Sequence, residues 1–143
     1  MTPKEFQKRM GTLAKNIKVN VPKVVQKAAL VVDQTLVTGT PVDTGRARSN
    51  WQVSTSGPAS GERSAFVPGT KGSTGAANID AQLAYARGVI LGYQSGSIWI
   101  SNVLSYIGIL NSEATPSVQA PPGFVQIAVA AGVGAVKGAR VLQ

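Results

Sequence analysis

Apolar residues recur every three or four positions at the start of the chain, at Phe6, Met10, Leu13 and Ile17. That spacing predicts an amphipathic helix. Thr2 suits its N-cap, Pro3 its first turn, and Glu5 completes a capping box. Lys4, Lys8, Lys15 and Lys18 mostly avoid the apolar stripe, so residues 1–21 read as a helix with a basic back. Asn20-Val21-Pro22 is expected to break or kink it. A second helix is then expected over 22–37, where Val24, Val25, Ala28, Val31, Val32 and Leu36 give a broad apolar face. Gly39 suits the position after its end, and Pro41 stops any continuation.

The pattern changes after Pro41. "RARSNWQVS" alternates, with Trp51 and Val53 on one face and Arg48 and Asn50 on the other, as in a strand. Residues 54–78 are rich in Ser, Gly and Pro and read as a long mobile loop, with a short strand possible at "SAFVP". Asp80 can cap a helix over 81–91 that Gly92 ends. "GSIWIS" reads as a buried strand, with Ile98 and Ile100 on one side and Trp99 on the other. "LSYIGILNSEA" reads as a short helix. After two prolines, Phe124, Ile127, Ala128 and Ala131 make a helical stripe, with a strand over 124–129 as the competing reading. Residues 132–143 read as a flexible tail. The expected class is α+β: helices packed on a small antiparallel sheet, in one domain of 143 residues.

Composition narrows the chemistry. Without Cys or His, most routes to zinc, haem or iron–sulfur ligation, thiol catalysis and Ser-His-Asp chemistry are closed. No metal or other cofactor is expected. The N-terminus lacks the apolar run of a secretory signal, and the apolar run at 124–136 is too short to span a bilayer. The net charge of +8 is uneven, because residues 1–27 carry seven Lys or Arg and one Glu. That segment suits an acidic partner, although a solvated helix face explains it equally.

Asp43-Thr44-Gly45 is how an aspartic protease presents its catalytic acid, and "VILG" at 89–92 mimics a second element of the retroviral type. The context differs. A helix, Gly39 and Pro41 precede the triplet, and Arg46 follows it. A guanidinium there would hold both acids of a dyad ionised. The alternative is a turn, in which Asp43 accepts hydrogen bonds from the amides of Thr44, Gly45 or Arg46 and Gly45 supplies positive φ. The glycines at 132, 134 and 138 lack dinucleotide-site spacing, and "PGTKGSTG" lacks phosphate-loop order. A small basic DNA-binding protein remains an alternative, but no aromatics interleave with the basic residues.

"TPVDTGRARSNW" resembles the signature of phage neck or tail-completion proteins, a group that includes relatives of minor tail protein Z. Pro41, Val42, Asp43, Thr44, Gly45, Arg46 and Trp51 match it. "IWISNVLSYIGIL" is similar to a second family block at Ile98, Ile100, Asn102 and Tyr106. "QAPPGFV" is similar to a third at Gln119, Ala120, Pro121 and Gly123. Ala47, Ser105 and Asn111 depart from the pattern. The resemblance implies a virion structural protein without an active site, made in the host bacterial cytoplasm. It would form a homo-oligomeric ring, of six subunits, at the neck or head-proximal end of the tail. There it would act in tail completion and head–tail joining. Its partners would be neighbouring neck, tail-terminator or tail-tube proteins, with DNA in the channel a further candidate and no membrane. Lys4, Lys8 and Lys15 on the first helix, and Glu62, Arg63 and Lys71 in the loop, are the expected interface residues.

Overall fold

A computed structural model describes residues 1–112 and 123–139. The fold is α+β, mostly helical, with one two-stranded antiparallel sheet among the described residues. Helix α1 runs over Pro3–Gly39, about 55 Å at the usual rise per residue. The capping box forms as expected: the Glu5 amide donates to Thr2 Oγ1 at 3.1 Å, and the Thr2 amide donates to Glu5 Oε2 at 2.8 Å.

The expected break at residues 20–22 does not occur. Helix α1 continues through Pro22. A proline inside a helix removes one hydrogen bond and costs about 3 kcal/mol. Here the capping box fixes the helix before it, and packing of Ala29, Leu36 and Val37 fixes it after. Gly39 is the last helical residue rather than a left-handed cap. A Cβ there would lie 3.4 Å from Cβ of Phe124.

A short helix α2, Arg46–Ser49, follows the turn, and strand β1 is Gln52–Ser54. The alternation of "RARSNWQVS", read as one strand, is therefore half helical, and Trp51 lies just before the strand. Helix α3 spans Gly75–Leu91, beginning before the expected cap at Asp80 and ending at Gly92 as expected. Strand β2, Trp99–Ser101, pairs with β1 in the register Gln52–Ser101, Val53–Ile100, Ser54–Trp99. Val53 is buried and Trp99 is exposed, so the sheet covers the core with one face only. No strand is assigned at "SAFVP".

Helix α4, Ile107–Asn111, is short. Helix α5, Phe124–Val136, confirms the helical reading of that segment over the strand. It also takes in residues 132–136 of the expected flexible tail. Its buried side is Phe124, Ala128 and Gly132, whereas Ile127 of the expected stripe faces out. The C-terminal half of α1 lies between α3 and α5. One core cluster joins Leu36, Val37, Trp51, Phe124 and Ala128; the other joins Ala29, Val53, Ala86 and Ile90. Burial of these side chains, at about 1.5–3 kcal/mol for each large one, holds the helices on the sheet.

Candidate functional site

The turn after α1 is built around Thr40. Its hydroxyl donates to the carbonyl of Leu36 at 2.6 Å and accepts from Trp51 Nε1 at 2.8 Å. Its carbonyl accepts from Arg48 Nε at 2.8 Å. Burial holds the Arg48 guanidinium below its usual pKa. Pro41 then redirects the chain. Gly45 has φ of 88°, in the left-handed region, and opens α2. A Cβ at Gly45 would also collide with the amide of Asn78.

Asp43 plays a longer-range part than the local turn predicts. Its Oδ1 accepts from the amide of Lys71 at 2.7 Å, and its carbonyl accepts from Gly72 at 2.9 Å. The local bond of the turn is made by Thr44, whose hydroxyl accepts from the amide of Arg46 at 3.4 Å. Asp43 therefore ties the turn to the far end of the loop before α3.

The loop expected to be mobile is fastened along its length. Asn50 pairs with Arg63 through both backbone groups, at 2.8 and 2.7 Å, as a neighbouring strand would. Ser49 Oγ accepts from Phe66 at 3.0 Å and donates to Asn78 Oδ1 at 2.8 Å. Asn78 also bonds both backbone groups of Val67, at 2.9 and 2.7 Å. Ser101 Oγ accepts from Ala59 at 2.8 Å. Arg63 lies over the rings of Tyr85 and Phe66, 4.5 and 5.4 Å from their centroids. The Tyr85 hydroxyl donates to the carbonyl of Val53 at 2.9 Å and accepts from its amide at 3.2 Å.

Beside the turn lies an open cleft of about 480 Å³, lined by Pro41, Val42, Asp43, Thr44, Arg46, Ala47, Tyr106 and Leu110. Arg46 forms an ion pair with Glu62 of the loop. Tyr106 has a raised pKa, first through burial, with Arg46 opposing and Glu62 reinforcing the shift. Asn102 Nδ2 donates to the carbonyl of Ala47 at 3.0 Å, linking β2 to α2. Residues from the first two signature blocks thus meet on one surface. Gly123 lies apart as the left-handed N-cap of α5, with its amide donating to Asn111 at 2.9 Å. Asn111 Oδ1 accepts from Val125 at 2.9 Å, so this departure from the family pattern secures the start of α5. Gln119 and Pro121 fall outside the described residues.

Of the expected interface residues, Glu62 and Arg63 carry contacts that hold the loop, and Lys71 holds it through its backbone amide. Lys4, Lys8 and Lys15 are exposed on the first half of α1, distant in sequence from the turn. A second buried polar group was not anticipated. Asp33 of α1 is buried and its Oδ1 accepts from Gln82 Nε2 at 2.9 Å; the same nitrogen donates to the carbonyl of Trp51 at 2.8 Å. Burial pushes the Asp33 pKa up to about 6, partly offset by the Gln82 hydrogen bond. Its acid in the middle of "ALVVDQTLV" was the one available sequence signal.

The Asp43 carboxylate is thus engaged with backbone, in a chain whose described strands are two of three residues each. Neither observation supports the protease alternative, whose fold is almost all β. Among the described residues, no helix is long and apolar enough to cross a membrane.

The family described as "Bacteriophage HK97-gp10, putative tail-component" matches residues 4–92, more than half of the chain. The matched span includes α1, the turn, the fastened loop and α3. Comparisons with curated proteins and with solved structures found no match.

Proposed function

This chain belongs to the HK97-gp10-like family of phage tail components, and from that premise we propose that it is a non-enzymatic ring protein of the virion, acting in tail completion and head–tail joining. The observation that carries the reading is the family match over residues 4–92, with the Pro41–Trp51 turn inside it. The turn supports an architectural role. Its polar side chains are spent on holding α1, α2 and the loop at fixed positions, and the loop surface bearing Glu62, Arg63 and Lys71 is presented already shaped. A preshaped surface loses little entropy on meeting a neighbour.

The ring is proposed to contain six copies at the neck or head-proximal end of the tail, next to neck, tail-terminator or tail-tube proteins. The basic side of α1, with Lys4, Lys8, Lys15 and Lys18, is proposed to face an acidic neighbour or DNA in the channel. The test is a phage in which this gene is silenced. Electron microscopy is expected to show heads and tails that fail to join, or tails of defective end structure. Normal infectious particles without the protein would overturn the reading. Replacing Lys4, Lys8 and Lys15 by Glu is expected to impair joining while the chain stays folded. Steep salt-dependent affinity for free duplex DNA, without any joining defect, would favour the DNA-binding alternative.

A further inference from the structure

The first half of α1 is an amphipathic helix whose apolar stripe has no counterpart within the described residues. Phe6, Met10 and Ile17 are 57%, 48% and 41% exposed. A Cβ at Gly11 would meet nothing within 4 Å. Along α1 the first buried residue is Ala29, and Gln26 bonds the body through the carbonyl of Tyr93 at 2.8 Å. The stripe of spacing four, three, four is that of a helix made to pack on another surface. An isolated helix of that length is marginal in water.

A second surface without a partner among the described residues lies on α5. Its inner side is taken up by α1, and its outer side carries Ile127 and Val133, 47% and 53% exposed, with the small residues Ala130 and Gly134 between them. No charged residue occurs in Phe124–Val136.

We propose that the first half of α1 in one copy docks on the outer face of α5 in the next copy. The occupant of the stripe is therefore a second molecule of this chain. Charge placement favours it. Lys4, Lys8 and Lys15 lie opposite the stripe and Lys18 lies to one side, and of the basic residues up to Lys18 only Arg9 borders it. An acidic groove would be matched by cations flanking the stripe. Here the contact face is nearly uncharged, as α5 is, and two chains of charge +8 can meet there without opposing their lysines. Side-chain size agrees, since large residues on the stripe meet Ala, Gly and Val on α5. Length agrees as well: residues 6–17 rise about 16 Å and α5 is about 20 Å long.

The contact joins two different faces, so it is heterologous and repeats head to tail, as a ring requires. It thus deepens the ring reading and rests on it. Pairing of one stripe with another would instead be two-fold and stop at a dimer.

The chain has no Cys, which makes cross-linking clean. Met10→Cys and Val133→Cys are made in separate preparations, one with a mass tag, then mixed and mildly oxidised. Both positions are exposed, so the fold is retained. The expected product is a disulfide between one chain of each kind, with Lys18→Cys in place of Met10→Cys giving none above background. Products containing two Met10→Cys chains alone, or equal yield from the Lys18→Cys control, would overturn the docking. Native mass spectrometry of the unaltered chain separates the two failures. A closed ring without the mixed cross-link overturns the docking and leaves the ring reading standing. A monomer at every concentration removes both.

Discussion

The indole nitrogen of Trp51 donates to the hydroxyl of Thr40 at 2.8 Å, inside the core. The same hydroxyl donates a hydrogen bond to the carbonyl of Leu36 in the last turn of α1. One small side chain therefore satisfies the end of the long helix and the one polar atom of the largest core residue. Thr40→Val keeps the shape and removes both bonds. Leaving a buried polar group unpaired costs about 1–3 kcal/mol, so a loss in that range is expected in urea unfolding. Thr40→Ser keeps the hydroxyl and is expected to lose less. Equal stability of Thr40→Val and the unaltered chain would show that the relay carries no weight.

Asp43 is tied to the loop through the Lys71 amide. Asp43→Asn retains an oxygen acceptor, whereas Asp43→Ala does not. Faster hydrogen exchange at the Lys71 amide and easier proteolysis between residues 55 and 74 are expected for Asp43→Ala. Asp43→Asn is expected to stay close to the unaltered chain in both assays and in tail assembly. If Asp43→Asn instead abolished function with the loop still fastened, the carboxylate would have a chemical role.

The opening helix, the helical nature of α5 and the segments holding β1 and β2 were legible because each shows its own periodicity. What could not be read was the traffic between distant polar side chains. Ser49, Asn50 and Asn78 stand in for a neighbouring strand beside the loop. Nothing in the local pattern distinguishes an Asn that bonds its own turn from one that bonds a segment 13 residues away. The same blindness placed the partner of Asp43 among the neighbouring amides of Thr44, Gly45 or Arg46. At Pro22 the break is absent for a different reason: its local preference is real, but a capped helix held at its other end tolerates the lost bond.

Gly132 sits where α5 crosses α1. A Cβ there would lie well inside van der Waals contact of Val32 Cγ2. Gly132→Ala is thus expected to destabilise by about 1–3 kcal/mol through overpacking. Gly134, two residues on and facing open space, gives the opposite expectation: Gly134→Ala should stabilise the helix by up to about 1 kcal/mol. Adding Val32→Ala to Gly132→Ala should recover part of the loss, because the neighbour has made room. Thermal unfolding of the four proteins checks the signs. Two substitutions with equal effect would mean that the close crossing is absent.

Asp33 makes stability depend on pH in an unusual direction for a carboxylate. Its folded pKa, about 6, lies above the ordinary 3.8, so the unfolded chain releases this proton first. Well below pH 4 the group is protonated in both states and imposes no penalty. As pH rises from 4 to 6 the fold must keep the proton or bury a charge, and stability falls; above about pH 6 the loss is complete. At about 1.4 kcal/mol per pKa unit the full effect is on the order of 3 kcal/mol. Its described surroundings are Gln82, which donates to it, and the exposed cleft shared with Gln34 and Arg87. Asp33→Asn keeps the acceptor for Gln82 and removes the ionisation. It should therefore be more stable than the unaltered chain at pH 7.5, match it near pH 4, and lose the slope between those values. Urea midpoints across pH 4–8 test this, and parallel curves for the two proteins would show that Asp33 is ionised without cost in the fold.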